Sequence, residues 1–217
     1  YELHEVQSAN GYVLDSTPVP FTIDGTVDVV VVEKTNKPQK GKISVQKSGD
    51  AFASVTVLGP AIWVDEYGVT HTAGSTTYTP VFKETGLAGA VFEITAAEDI
   101  VTADGTIRAK KGDVVATLTT DENAYAESDL LYLGKYEVKE TKAPYGYVQN
   151  AVSETVELTY AGQEIEVRDT VNQAFVNDYQ EVEITLSKFM EYDELFGLGE
   201  NDEYRFVRFG LFADEVI

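Results

Sequence analysis

Cysteine is absent from the 217 residues, so no disulfide can form. That absence alone does not place a chain inside a cell. Histidine occurs only as His4 and His71, far apart in sequence. A His-rich metal site or a Ser-His-Asp triad therefore has little support. Basic residues are scarce: 16 Lys and Arg stand against 37 Asp and Glu, for a net charge of −21. This balance argues against nucleic acid and against anionic membrane surfaces as partners. No run reaches the roughly 18 apolar residues of a membrane span, so no membrane insertion is expected of this stretch. Residues 1–30 lack the basic-then-apolar pattern of a signal peptide. Gly86-Leu87-Ala88-Gly89 leads into a strand rather than a helix, the wrong context for a phosphate loop. No segment carries the period of a helix of three or more turns.

What is present is strand. Apolar residues make up 43% of the chain, enough for a core. Tyr136, Val138 and Glu140 alternate with Glu137, Lys139 and Thr141, the period that a strand imposes. Pro144 and Gly146 then end the strand in a turn. Further strands are expected at residues 1–5, at the β-branched run Val27 to Val32, at Lys42 to Lys47 and at Ala90 to Thr95. Others are expected at 114–119, 154–159, 164–171, 182–188 and 205–213. Pro18 and Pro20 interrupt the chain after the first of these. Residues 121–129 read as a polar connection. Residues 48–85 read as a long hairpin insertion with a polar tip at 70–77. Short strands separated by turn signals indicate an all-β chain folded as an antiparallel β-sandwich.

Two inward slots are chemically odd. If Tyr136 and Val138 face a core, Glu140 faces it too. In KISVQK, Ile43 and Val45 share a face with Lys47. A buried carboxylate or amine is costly unless it is neutral, paired or hydrogen-bonded. Both slots recur. Residues 1–12, YELHEVQSANGY, repeat Tyr136 to Tyr147, with Glu5 in the place of Glu140. Lys47 recurs as Lys188 and Asn36 as Asn177, each 141 positions apart (188 − 47 and 177 − 36). Residues 90–100 have a weaker echo at 207–217. The order Lys, Glu, Asn is complete once, as Lys47, Glu140 and Asn177. The expected organisation is one whole domain at 41–179, with the end of a preceding repeat at 1–40 and the start of a following one at 180–217. The chain reads as a fragment of something longer.

These motifs carry a family resemblance. KISVQK with Lys47, GLAGAVFEI, YEVKETKAPYGY with Glu140, and AFVN with Asn177 resemble the prealbumin-like, collagen-adhesin B-type repeat domains of Gram-positive surface proteins and pilins. The glutamate motif is the most specific of them. In the first copy Gln7-Ser8-Ala9 replaces Lys-Ala-Pro, and residues 48–85 depart from the compact family pattern. The resemblance implies a prealbumin-like or Ig-like sandwich. It implies an intramolecular isopeptide bond between Lys47 and Asn177, assisted by Glu140. It also implies an extracellular, cell-wall-anchored setting, no cofactor, and neighbouring repeat domains of the same polypeptide as partners. Glu5, Asn36 and Lys188 are then partial sites, open to a head-to-tail contact with another copy.

The residue types suit that chemistry. Burial lowers the pKa of an amine, which makes it nucleophilic, and favours the protonated form of a carboxyl group. A protonated glutamate can polarise the asparagine carbonyl or move a proton to the departing ammonia. The competing reading is a buried Lys47–Glu140 ion pair, with Asn177 as a turn residue. Lys47 reaching out to water is a third.

The remaining features read as structural. His4 reads as solvated, and His71 lies near the hairpin tip. The acidic clusters at 99–104 and 200–203 lack EF-hand spacing. Trp63, Tyr67 and Tyr78 read as core or insertion packing before they read as a sugar- or protein-binding patch. The function expected is therefore a non-enzymatic stalk module of an adhesin or pilus-like protein. The alternative is an adhesin domain that binds a host protein or glycan through residues 48–85. A glycosidase would need two carboxylates facing each other across a cleft.

Overall fold

The structure, a computed structural model, describes residues 1–26, 28–74 and 76–187. Val27, Lys188, the segments 205–213 and 207–217 and the acidic cluster 200–203 lie outside the described residues. Residues 1–180 form one compact unit, and residues 181–217 a second. In the second unit no strand is assigned among residues 181–187.

The first unit is all β among the described residues. Its N-terminal part holds β1 (Glu2–Leu3) and β2 (Val19–Pro20), which pair antiparallel, and β3 (Lys40–Gly41). β4 (Ile43–Leu58) follows, then β5 (Ala61–Val64), β6 (Thr70–Ala73) and β7 (Thr77–Gly86). Next come β8 (Val91–Ala96), β9 (Ile100–Val101), β10 (Ile107–Ala109) and β11 (Val114–Thr119). The last five are β12 (Tyr125–Glu127), β13 (Leu131–Tyr132), β14 (Gly134–Lys142), β15 (Ser153–Leu158) and β16 (Val171–Asn177).

One four-stranded sheet runs β11-β8-β14-β15. The other runs β12-β4-β16, and β7 pairs with β4. Their inner faces share one core, which includes Ile43, Val45 and Phe175 from the second sheet and Phe92, Ile94 and Val138 from the first. Each such side chain contributes about 1.5–3 kcal/mol by leaving water. The sandwich is antiparallel except at β16, which pairs parallel to β4. The hydroxyl of buried Tyr136 donates to the Tyr132 carbonyl at 2.6 Å. Burial pushes its pKa up to about 12.

β4 changes character along its length. Its inward side chains are buried through Gly49, and from Phe52 onward the strand is exposed. That outer half pairs with β7 as far as Leu58 opposite Thr77, and β5 pairs with β6 beyond it. Trp63, Tyr67 and Tyr78 are exposed, so core packing does not hold for them. Trp63 stacks on His71 instead, at 5.3 Å between ring centroids.

Several expectations fail locally. Val29, Val30 and Val31 are exposed, and no strand is assigned among described residues 21–37. β-branched residues favour strands only where a pleated, half-buried surface receives them. No strand covers 164–170; the last strand among the described residues begins at Val171. The connection at 121–129 contains β12, which pairs with β4 at Ser44 to Gln46. Pro20 lies within β2, where a two-stranded pair leaves edge positions that need no N–H donor.

Candidate functional site: a buried lysine, glutamate and asparagine

Lys47, Glu140 and Asn177 meet inside the sandwich, with 0%, 0% and 3% of their surface exposed. Strand alternation delivers each of them. Lys47 follows Ile43 and Val45 on the inner face of β4, and Glu140 follows Tyr136 and Val138 on that of β14. Asn177 follows Phe175 on the inner face of β16. In the parallel β4–β16 register Phe175 lies opposite Lys47, and Asn177 opposite Gly49. Glu140 comes from the facing sheet, where it pairs with Phe92. Phe92 and Phe175 touch across the sandwich at 4.8 Å between centroids. The strand neighbours of Glu140 and Lys47 thus form an apolar wall beside the pair.

The Asn177 amide Nδ2 donates to both carboxylate oxygens of Glu140, at 2.9 and 3.0 Å. The Asn150 backbone N–H donates to Glu140 Oε2 at 2.7 Å. Lys47 Nζ stands 3.7 Å from Glu140 Oε1, too far for a hydrogen bond. Lys47 Nζ and Asn177 Oδ1 are buried without hydrogen-bond partners. Burial holds the Lys47 amine below the usual lysine range, and the carboxylate of Glu140 acts in the opposite direction. A buried ammonium with no hydrogen bond is the costly form, so the environment favours the neutral amine.

Glycine at position 49 makes room for this arrangement. A Cβ there would lie 2.7 Å from the Asn177 carbonyl oxygen and 2.8 Å from Leu87 Cδ1. The sequence signal for Gly49 was only its place two residues beyond Lys47. Nothing in the sequence alone showed the closeness of β16.

Glu5 and Asn36 also meet, in the N-terminal part of the unit. Asn36 Nδ2 donates to both oxygens of Glu5, at 2.7 and 2.8 Å. Both residues are half-buried. His4 is exposed and lies beside Glu2, while His71 contacts Asp65 at 2.6 Å. Among the described residues no group of His, Asp and Glu is arranged to hold a metal ion.

Residues 74–173 match the family model described as the SpaA prealbumin-like fold domain. The matched region is a prealbumin-like fold domain. Among solved structures, the Bacillus anthracis TIE protein matches at 23% identity and a TM-score of 0.49, over 82% of this chain and 25% of that one. The minor pilin GBS52 of Streptococcus agalactiae matches at 19% identity and a TM-score of 0.39, over 70% and 51%. The major pilin SpaD of Corynebacterium diphtheriae matches at 20% identity and a TM-score of 0.38, over 65% and 30%. The chain thus spans between a quarter and about half of the length of these three. A search of curated proteins returned no match.

Proposed function

We propose that the prealbumin-like domain is a load-bearing module of an extracellular, cell-wall-anchored stalk, locked by an isopeptide bond between Lys47 and Asn177. The observation that carries this reading is the buried pair of unpartnered atoms, Lys47 Nζ and Asn177 Oδ1, in two residues that both contact one buried glutamate. A permanent ion pair would need its ammonium donors satisfied by hydrogen bonds. This amine makes none.

In the reaction, the neutral Lys47 amine attacks Cγ of Asn177. The Nζ–Cγ bond forms and the Cγ–Nδ2 bond breaks. Glu140 accepts the proton that Nζ loses and passes it to Nδ2, which leaves as ammonia. The geometry favours this shuttle, because Nδ2 rather than Oδ1 faces the carboxylate. Polarisation of the carbonyl by Glu140 would require the carboxamide to turn over. Fixed placement in one core replaces a bimolecular encounter. The reaction occurs once per molecule, so no enzymatic turnover is involved.

The bond would tie β4 to β16 beside their parallel ladder. A pull on the two ends of the domain would then load a covalent link instead of a row of hydrogen bonds. Single-molecule pulling tests this. The parent domain should not extend between residues 47 and 177, whereas Lys47→Ala should unfold to its full contour length. Full extension of the parent would sink the proposal.

A second reading has its own support. The β4–β7 hairpin exposes Phe52, Trp63, Tyr67 and Tyr78, side chains suited to binding a host protein or glycan. Binding on a glycan or host-protein array that disappears when residues 59–76 are replaced would favour it.

A further inference from the structure

From Phe52 onward, β4 and β7 continue beyond the buried core as a two-stranded ribbon. Residues paired across two strands share a face, and successive residues alternate. Phe52 opposite Phe82, Val55 opposite Pro80 and Val57 opposite Tyr78 therefore line one face. A bulge between Phe52 and Ser54 brings Phe52 into phase with the two valines. Without it, Phe52 would share a face with Ser54 and Thr56. The other face carries mainly hydroxyls, Ser54, Thr56, Thr77 and Thr79, with Leu58 and Val81. The ribbon is thus amphipathic, like a sandwich strand pair, but its apolar face has no facing sheet. Phe52, Val57 and Tyr78 keep 61%, 56% and 67% of their surface in water. Only the root is fixed: Phe82 meets the Phe52 ring edge to face at 6.4 Å and stacks on Tyr179 at 4.4 Å.

The ribbon also lacks charge. Residues 51–64 and 67–82 contain no Asp, Glu, Lys or Arg, in a chain where these make up 24%. Apolar and aromatic content with charge excluded is the composition of the centre of a protein–protein contact. It also bears on the partner. Two copies of a chain with a net charge of −21 repel each other over most of their surface. On this face they bring no charge together. A charged host surface would find no counter-charge here, whereas a second ribbon offers an equal apolar face. The shape is self-complementary as well. Phe52 and Phe82 stand at the root and Tyr78 at the outer end, with Val55 and Pro80 lower between them.

We propose that this face is a self-association surface, on which the ribbon of a second copy of this chain packs antiparallel about a two-fold axis. Tyr78 of each copy then meets the phenylalanine pair of the other. The contact is isologous, so it closes as a dimer instead of growing into a filament. The six side chains leave on the order of 500 Å² in water. That is near the lower end of specific contacts per partner, so the dimer belongs to the weak, transient class. In the stalk proposed above it would join neighbouring stalks side by side. The dimer itself depends neither on that role nor on the Lys47–Asn177 bond, and its readout is association rather than mass loss.

The test is sedimentation equilibrium of the full chain, from low micromolar to near-millimolar concentration. The parent should pass from monomer to dimer, and added salt should tighten the dimer by screening the repulsion between two acidic chains. Val57→Glu should weaken it by about tenfold or more, because two carboxylates then enter a contact that excludes water. Thr56→Glu adds the same charge one residue away on the other face, and should change the affinity by less than about threefold. Circular dichroism should show both variants folded as the parent is. Where Val57→Glu does not fold, Tyr78→Ser removes an exposed ring and should weaken the dimer in its place. A parent that stays monomeric throughout would overturn the proposal. So would a dimer that loosens in salt, since ion pairs elsewhere would then hold it. Equal losses from Thr56→Glu and Val57→Glu would overturn the assigned face. A monomeric parent that binds a glycan or host-protein array only while residues 59–76 are intact would give the hairpin to the second reading above.

Discussion

Lys47 and Asn177 lie on neighbouring parallel strands, with Asn177 opposite the residue two places beyond Lys47 and on the same inner face. This diagonal relationship places amine and carboxamide side by side in one sheet, and the facing sheet supplies the carboxylate. It also makes Gly49 a control point, because its missing side chain is what lets Asn177 approach.

Replacing Gly49 should therefore disturb the site without touching its reactive groups. Gly49→Ala should destabilise the domain by about 1–3 kcal/mol, the usual cost of overfilling a packed core. It should also lower the fraction of molecules that carry the central cross-link. Denaturant unfolding and intact mass, measured on the same preparation, check both. An unchanged stability would mean that β16 yields easily at this point.

The outer hairpin should be dispensable for folding. Leu58 pairs with Thr77, so residues 59–76 can be replaced by Asn-Gly, a two-residue turn suited to that register. Stability should stay within about 1 kcal/mol of the parent, because the removed side chains are largely exposed. A larger loss would show that the hairpin supports the sandwich.

Tyr136 should titrate late. Its pKa is raised by burial from 10.0 to about 12. The stabilising contribution of the neutral phenol is complete below pH 10 and is lost as the pH rises from there through about 12. Spectrophotometric titration should show one tyrosine ionising well after the exposed ones, with unfolding favoured over the same range. Tyr136→Phe should remove the late step and cost about 1 kcal/mol through the lost hydrogen bond to the Tyr132 carbonyl.

The strands that carry the site were legible because their alternation is strong. Tyr136, Val138 and Glu140 face the core together, as their spacing implies, and so do Ile43, Val45 and Lys47. Glu5 and Asn36 meet as Glu140 and Asn177 do, although 31 residues separate the first pair and 37 the second. Three features were hidden. β12 has only three residues, too few for a periodic signal. The parallel pairing of β16 depends on which edge of β4 is free, a tertiary matter. Val29 to Val31 have strand-forming side chains without an assigned strand, because propensity needs a receiving surface.

The central claim is the bond between Lys47 and Asn177, and intact mass of the denatured monomer tests it most directly. The parent chain should weigh one ammonia less than its sequence, and Lys47→Ala and Glu140→Ala should each return the full sequence mass. A parent chain of unmodified mass would contradict the account.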